Sequence, residues 1–160
     1  MLPRATAAVV AAEDTETMPA DIQIFTLEEA NALARELRPG LVRLLELKAE
    51  LDRVEVRIEV LRLTVSAGGN DRNPEAQELG ELQWQRGKIA GNISTEIHHI
   101  QETGALLKDV DQGLLDFYTL VGDRLVFLCW KHDEPEITHW HTLEAGFAGR
   151  QPLTNINELE

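Results

Sequence analysis

The sequence predicts an α+β domain: a long antiparallel two-helix hairpin followed by a small three- or four-stranded antiparallel β-meander. Three features carry this. Between Leu27 and Val65, and again between Leu79 and Ile100, apolar residues recur at steps of three, four or seven, the period that gathers side chains into one stripe on a helix. The run Ser66–Asp71 between them is short and Gly-rich, so the second helix must fold back along the first. After Gly104 the texture changes to short apolar or alternating runs rich in β-branched and aromatic residues, separated by turn-forming residues.

Each element has local signals. Helix one should start at Thr26, which can cap the first free N–H groups, with Glu29 completing a capping box and Glu28 facing the positive end of the helix dipole. Pro39-Gly40 lies inside it, and because Pro lacks a donor and disfavours helical geometry at Arg38, a kink or break is expected there before the helix resumes at Leu41. The second helix should start at Asn73-Pro74-Glu75, an N-cap followed by a first-turn Pro and acid. The helices then cover about 26–66 and 73–103. Gly80, Gly87 and Gly91 weaken the second one, and are expected to admit close approach of its partner helix or to bend it.

The strands fall within about 106–142, bounded by Gly113, Gly122-Asp123 and Asp133-Glu134-Pro135. Turns centred on Gly122-Asp123 and Asp133-Glu134 would set Asp116, Cys129 and Thr138 in one row and Phe117, Leu128 and His139 in the next. That register puts Asp116 and His141 on opposite faces. The single domain therefore spans 22–153, with a disordered tail at 1–21, a Gly-rich loop near 144–152 and fraying ends at 154–160.

Composition narrows the partners. Fifteen Lys and Arg stand against 28 Asp and Glu, a formal charge of -13, which repels a phosphate backbone or an anionic membrane surface. The basic residues of the first helix alternate with Glu rather than cluster, so no nucleic-acid strip is expected. One cysteine, Cys129, excludes an internal disulfide and points to a reducing cytoplasm. The N-terminal Ala/Val run is short and poor in Leu, and reads as a tail rather than a signal peptide.

The strings LKDVDQGLLDF (107–117), LCW (128–130), EPEITHWH (134–141) and GFAGRQP (146–152), with FTLEEANAL (25–33), resemble a prokaryotic family known only as domain of unknown function 2203. The resemblance covers about residues 24–153. It implies a fold rather than a reaction, and marks Lys108, Asp109, Asp116, Glu134, His141 and Arg150 as the polar positions to watch.

Several constellations invite chemistry. His139-Trp140-His141 on a strand sets two imidazoles on one face, and with Asp109, Asp116, Glu134 and His141 as ligands a mixed carboxylate and histidine site for a divalent transition metal (Zn, Fe or Mn) is conceivable; the plainer reading is hydrogen-bonded surface residues. Asp109-x-Asp111-x-Gly113 opens like a calcium loop but has Leu120 where the twelfth-position Glu belongs. His98 and Glu102 form an i, i+4 pair of the ordinary solvated kind. Cys129, between Leu128 and Trp130, is expected to be buried and inert rather than a nucleophile. Arg150, with Lys108, is a candidate anion site, against the alternative that Arg150 pairs with a nearby acid. Two helices alone rarely cover their own apolar stripes, so a homodimer through the helices is expected. The function that follows is a cytosolic self-associating or partner-binding module, with or without a structural or regulatory metal. The alternative is a metal-dependent enzyme acting on an anionic small substrate.

Overall fold

A computed structural model describes residues 22–68 and 74–159. The expected tail at 1–21, much of the Gly-rich turn, and the Asn73 cap lie outside the described residues. The fold is the expected one: two long helices, then an antiparallel sheet in meander order.

Thr26 and Glu29 form a reciprocal capping box, the Thr26 N–H donating to Glu29 Oε1 at 2.9 Å and the Glu29 N–H to Thr26 Oγ1 at 3.1 Å. Helix α1 (Leu27–Gly68) begins there and runs for 42 residues, roughly 60 Å at about 1.5 Å per residue. It does not break at Pro39. The ring costs the helix one hydrogen bond, and tertiary contacts on both sides hold it together. Leu41 and Leu44 are fully buried, and the Arg38 guanidinium donates to the Glu134 carbonyl at 2.7 Å while lying 5.2 Å from the Trp130 ring centroid. Helix α2 (Pro74–Glu102) packs back along α1. Its glycines do not serve that packing, because a Cβ at Gly80, Gly87 or Gly91 would meet nothing within 4 Å.

The sheet has five strands, β1 (Leu106–Asp109), β2 (Leu114–Val121), β3 (Arg124–Lys131), β4 (His139–His141) and β5 (Gln151–Pro152). The last lies in the stretch expected to be only loop, and residues Leu153–Leu159, where fraying was expected, form a 3-10 helix. The β2–β3 register is the expected one, with Asp116 opposite Cys129 and Phe117 opposite Leu128. The β3–β4 register is displaced by one residue: His139 rather than Thr138 faces Cys129, Trp140 faces Leu128 and His141 faces Phe127.

The connecting loop explains the displacement. Glu134 sits at its centre, its N–H donating to the Lys131 carbonyl (2.9 Å), its Oε1 accepting from the Lys131 N–H (2.8 Å), and its carbonyl accepting from Trp130 Nε1 (3.0 Å). On the far side Ile137 is buried and its N–H donates to Asn31 Oδ1 of α1 at 2.8 Å. The hairpin axis therefore passes through Glu134 instead of between Asp133 and Glu134. Because side chains alternate with a period of two, that single step turns every side chain of β4 to the other face.

One face of the sheet packs Leu115, Phe117, Leu128, Trp130 and Trp140 against Ala30, Ala34, Leu41 and Leu44 of α1 and Ile100 of α2. The segment entering α1 is tied to the same sheet, Phe25 N–H donating to the Tyr118 carbonyl (2.8 Å) and Thr119 Oγ1 to the Phe25 carbonyl (2.7 Å). The opposite face carries Asp116, Phe127, Cys129 and His141. The far half of the hairpin reaches past the sheet and holds its own small core of Val54, Ile58 and Ile89. Among the described residues no helix is long and apolar enough to cross a membrane.

Arg38 joins the helix to the loop that sets the β4 register. Arg38→Met is expected to lower the free energy of unfolding by about 2 kcal/mol, as for a lost hydrogen bond from a charged group, measured by urea denaturation; an unchanged midpoint would show that the loop holds its form without the helix.

Candidate functional site

Three adjacent strands converge on one buried polar group. Asp116 from β2, Cys129 from β3 and His141 from β4 are 2%, 1% and 2% exposed, and one ligand atom from each lies within 4.8 Å of the others. His141 Nε2 sits 2.9 Å from Asp116 Oδ2, and its Nδ1 sits 2.7 Å from the Thr142 carbonyl. These side chains occupy the sheet face away from the helices, and the chain that follows β4 folds over them through a short 3-10 helix, Phe147–Gly149. A pocket of about 100 Å³ opens beside the group, lined by Lys108, Phe127, Leu143 and Phe147 among others. The Lys108 ammonium lies 4.7 Å from the Phe127 ring centroid at its edge.

The electrostatics follow from burial. Loss of water works against a charged His141, but the Asp116 carboxylate and the Thr142 carbonyl outweigh both that and the Lys108 charge, so its pKa lies above the ordinary histidine value. Burial, then the Asp116 carboxylate, pushes the Cys129 thiol up to about 12, against the opposing pull of Arg150. The buried group is thus a hydrogen-bonded Asp116–His141 pair with the protonated Cys129 thiol beside it, and among the described residues these three have the spacing that could hold a metal ion.

The expected ligand set is thus divided. Asp116 and His141, expected on opposite faces, are in direct contact because of the shifted register. Glu134 instead pairs with Arg150, Nη2 to Oε1 at 2.8 Å, and Arg150 also donates to the Cys129 carbonyl at 3.3 Å. Arg150 therefore meets a neighbouring acid, as its plainer reading had it, and stacks 4.9 Å from the Phe147 ring centroid. Asp109 turns to Gln112, accepting from its N–H (3.1 Å), and Asp111 pairs with Lys48 at 3.3 Å, so the calcium-like run forms a turn. Lys108 is at the pocket edge. His139 holds Thr138 Oγ1 at 2.9 Å, and the His98–Glu102 pair at 3.0 Å is solvated. Cys129 is buried, as expected, and is also the third member of the group. The usable signal was its direct pairing with Asp116 across β2 and β3, since an apolar core offers no reason to bury a carboxylate beside a thiol.

A second surface stands out on α2. Gly80, Trp84, Gly87 and Gly91 are exposed and, at about 100° per residue, share the face turned away from α1. Trp84 is 69% exposed beside a broad depression lined by Ala76, Gln77, Gly80, Glu81 and Gln85, and the Lys88 ammonium lies over its ring, 5.7 Å from the centroid.

Two outcomes are expected in chelator-treated protein. The Cys129 thiol should resist aromatic-disulfide reagents in the native state and react only at the rate of unfolding; rapid stoichiometric labelling of folded protein would contradict its burial. The raised His141 pKa means the folded chain keeps a proton that the unfolded chain has lost. The stabilisation is complete below the unfolded value of about 6.5 and is lost as pH rises through the higher folded value. The difference in urea midpoint between wild type and His141→Gln should therefore shrink as pH is raised through that window; a widening gap would reverse the assignment.

Residues 23–153 match the family model described as uncharacterized conserved protein (DUF2203). No curated protein and no solved structure matches the chain. With the match extending from the segment that enters α1 to the end of the sheet, the chain belongs to this uncharacterised conserved family, DUF2203.

Proposed function

We propose that this chain is a self-associating module that forms a homodimer through the outward face of α2. One observation carries the reading: the stripe Gly80, Trp84, Gly87, Gly91 is exposed and its spacing of four, three and four residues is symmetric about the step between Gln85 and Arg86. An antiparallel second copy set on that axis places Trp84 opposite Gly87 and Gly80 opposite Gly91, a large flat ring against an open backbone, twice over. Isologous interfaces require this self-complementarity.

The energetics favour an occupant. Each glycine inside a helix costs about 1 kcal/mol relative to Ala, and in this hairpin no contact with α1 repays it, since nothing lies within 4 Å of where its Cβ would be. Among the described residues Trp84 is also one of the two most exposed large apolar side chains, with Leu63, and Trp is among the residues that most often anchor interfaces. The charge of -13 argues against nucleic acid as the partner instead, and a single cysteine supports a reducing, cytoplasmic setting.

Sedimentation velocity of the full chain at micromolar concentration tests this. Wild type should run as a dimer, and both Trp84→Ala and Gly87→Leu as monomers with unchanged helix content, because the space beyond Gly87 is open within one chain. A monomeric wild type, or a dimer that survives both substitutions, would reject the proposal. Gly87→Ala, in contrast, should raise the stability of the monomer by about 1 kcal/mol.

A further inference from the structure

We propose that Asp116, Cys129 and His141 form a binding site for a thiophilic divalent metal, Zn(II) foremost, with carboxylate, thiolate and imidazole donors and a fourth position open to the adjoining pocket. The argument starts from the hydrogen-bonding inventory of His141. Both ring nitrogens face groups that only accept: the Thr142 carbonyl at 2.7 Å from Nδ1 and the Asp116 carboxylate at 2.9 Å from Nε2. The carbonyl requires a hydrogen on Nδ1. Nε2 then meets the carboxylate only through a cation: a second ring proton fills that role in the metal-free protein, and a metal ion bound to Nε2 and the carboxylate can take the proton's place.

The outer contacts agree. An imidazole that ligates metal through one nitrogen usually donates its other N–H to a backbone carbonyl or carboxylate, which fixes tautomer and ring orientation, and the Thr142 carbonyl occupies that place. Cys129 supplies the donor that biases the metal. Thiolate together with imidazole selects Zn(II) and Co(II) over Mg(II), Ca(II) or Mn(II).

The spacing fits with small movements. Metal–ligand bonds of about 2.0–2.3 Å in a tetrahedron set donor atoms about 3.3–3.6 Å apart. The donor atoms here all lie within 4.8 Å of one another, with Asp116 and His141 the closest at 2.9 Å. Closing the cage needs only side-chain rotations on three hydrogen-bonded neighbouring strands. Binding balances by proton release: the metal displaces the thiol proton, and the Nε2 proton where the ring carries one, to solvent. Three protein donors leave the fourth position to water from the pocket near Lys108, Leu143 and Phe147, the pattern of an exchangeable rather than a closed structural site.

The test is a titration of chelator-treated, full-length protein with Co(II), followed by displacement with Zn(II). Wild type should take up one equivalent of Co(II) with intense visible absorption of tetrahedral type and a near-ultraviolet thiolate-to-cobalt charge-transfer band, and Zn(II) should abolish both. Cys129→Ser, nearly isosteric and so the variant that best keeps the fold, should lose the charge-transfer band. His141→Gln and Asp116→Asn, checked for folding by circular dichroism, should bind at least about tenfold more weakly, the lower end of what even an outer-shell change costs. His98→Gln/His99→Gln, at the solvated helix end, should bind like wild type. No Co(II) uptake by folded wild type, or uptake that survives Cys129→Ser with its spectrum unchanged, would overturn the site and leave Asp116 and His141 as a buried ion pair.

Discussion

The grip on Glu134 at the centre of the β3–β4 loop governs what the sheet can do. Its backbone and side chain together fold the loop back onto Lys131 and Trp130, and its carbonyl also receives the Arg38 guanidinium from α1. The carboxylate has a second partner in Arg150, which reaches over from the closing segment. One acid thus joins helix, hairpin and cover. Because a strand turns its side chains over at every residue, the position of this axis alone decides whether Trp140 or its histidine neighbours face the helices. With the axis on Glu134, Trp140 enters the main core and His141 is delivered to Asp116 and Cys129.

The sheet is consequently buried on both sides for different reasons. Toward the helices it is an ordinary apolar layer, Phe117, Leu128, Trp130 and Trp140 against α1 and Ile100. Away from them it carries a carboxylate, a thiol and an imidazole under a short cover built on Phe147 and Leu143. Burying such groups costs free energy unless each has a partner. The Asp116–His141 contact and the Thr142 carbonyl meet part of that requirement, and the strands that hold them are the three central ones of the sheet. A polar cluster placed on such a scaffold, beside a pocket only about 100 Å³ in size, has the preorganisation that a small bound species uses.

The hairpin follows another logic. Its inner half is shared with the sheet, whereas its outer half depends on the small Val54, Ile58 and Ile89 cluster and on cross-helix pairs such as Arg57–Glu78 at 3.0 Å. Exposed ion pairs of this kind contribute little to stability. What the outer half offers is surface: Val56, Val60 and Leu63 on α1, and Trp84 with its glycines on α2. The two ends of the molecule thus differ in character, with a buried polar cluster under the sheet and exposed apolar side chains along the hairpin.

Local signals in the chain determined the two helices, the capping box, the fold-back and the β2–β3 pairing, because each rests on residues close in sequence: Thr26 with Glu29, the three-and-four apolar spacing, and a two-residue turn at Gly122-Asp123. The resemblance carried by the C-terminal strings likewise agreed with the family to which the chain belongs. Only the tertiary structure decided the continuity of α1 through Pro39, the fifth strand, the register of β4 and, through it, the meeting of Asp116 with His141. Arg38 and Asn31 fix the β3–β4 loop from about a hundred positions away in the chain, and no local pattern encodes a contact at that separation. The same holds for the glycines of α2: sequence shows that they weaken a helix, but only packing shows that α1 never approaches them.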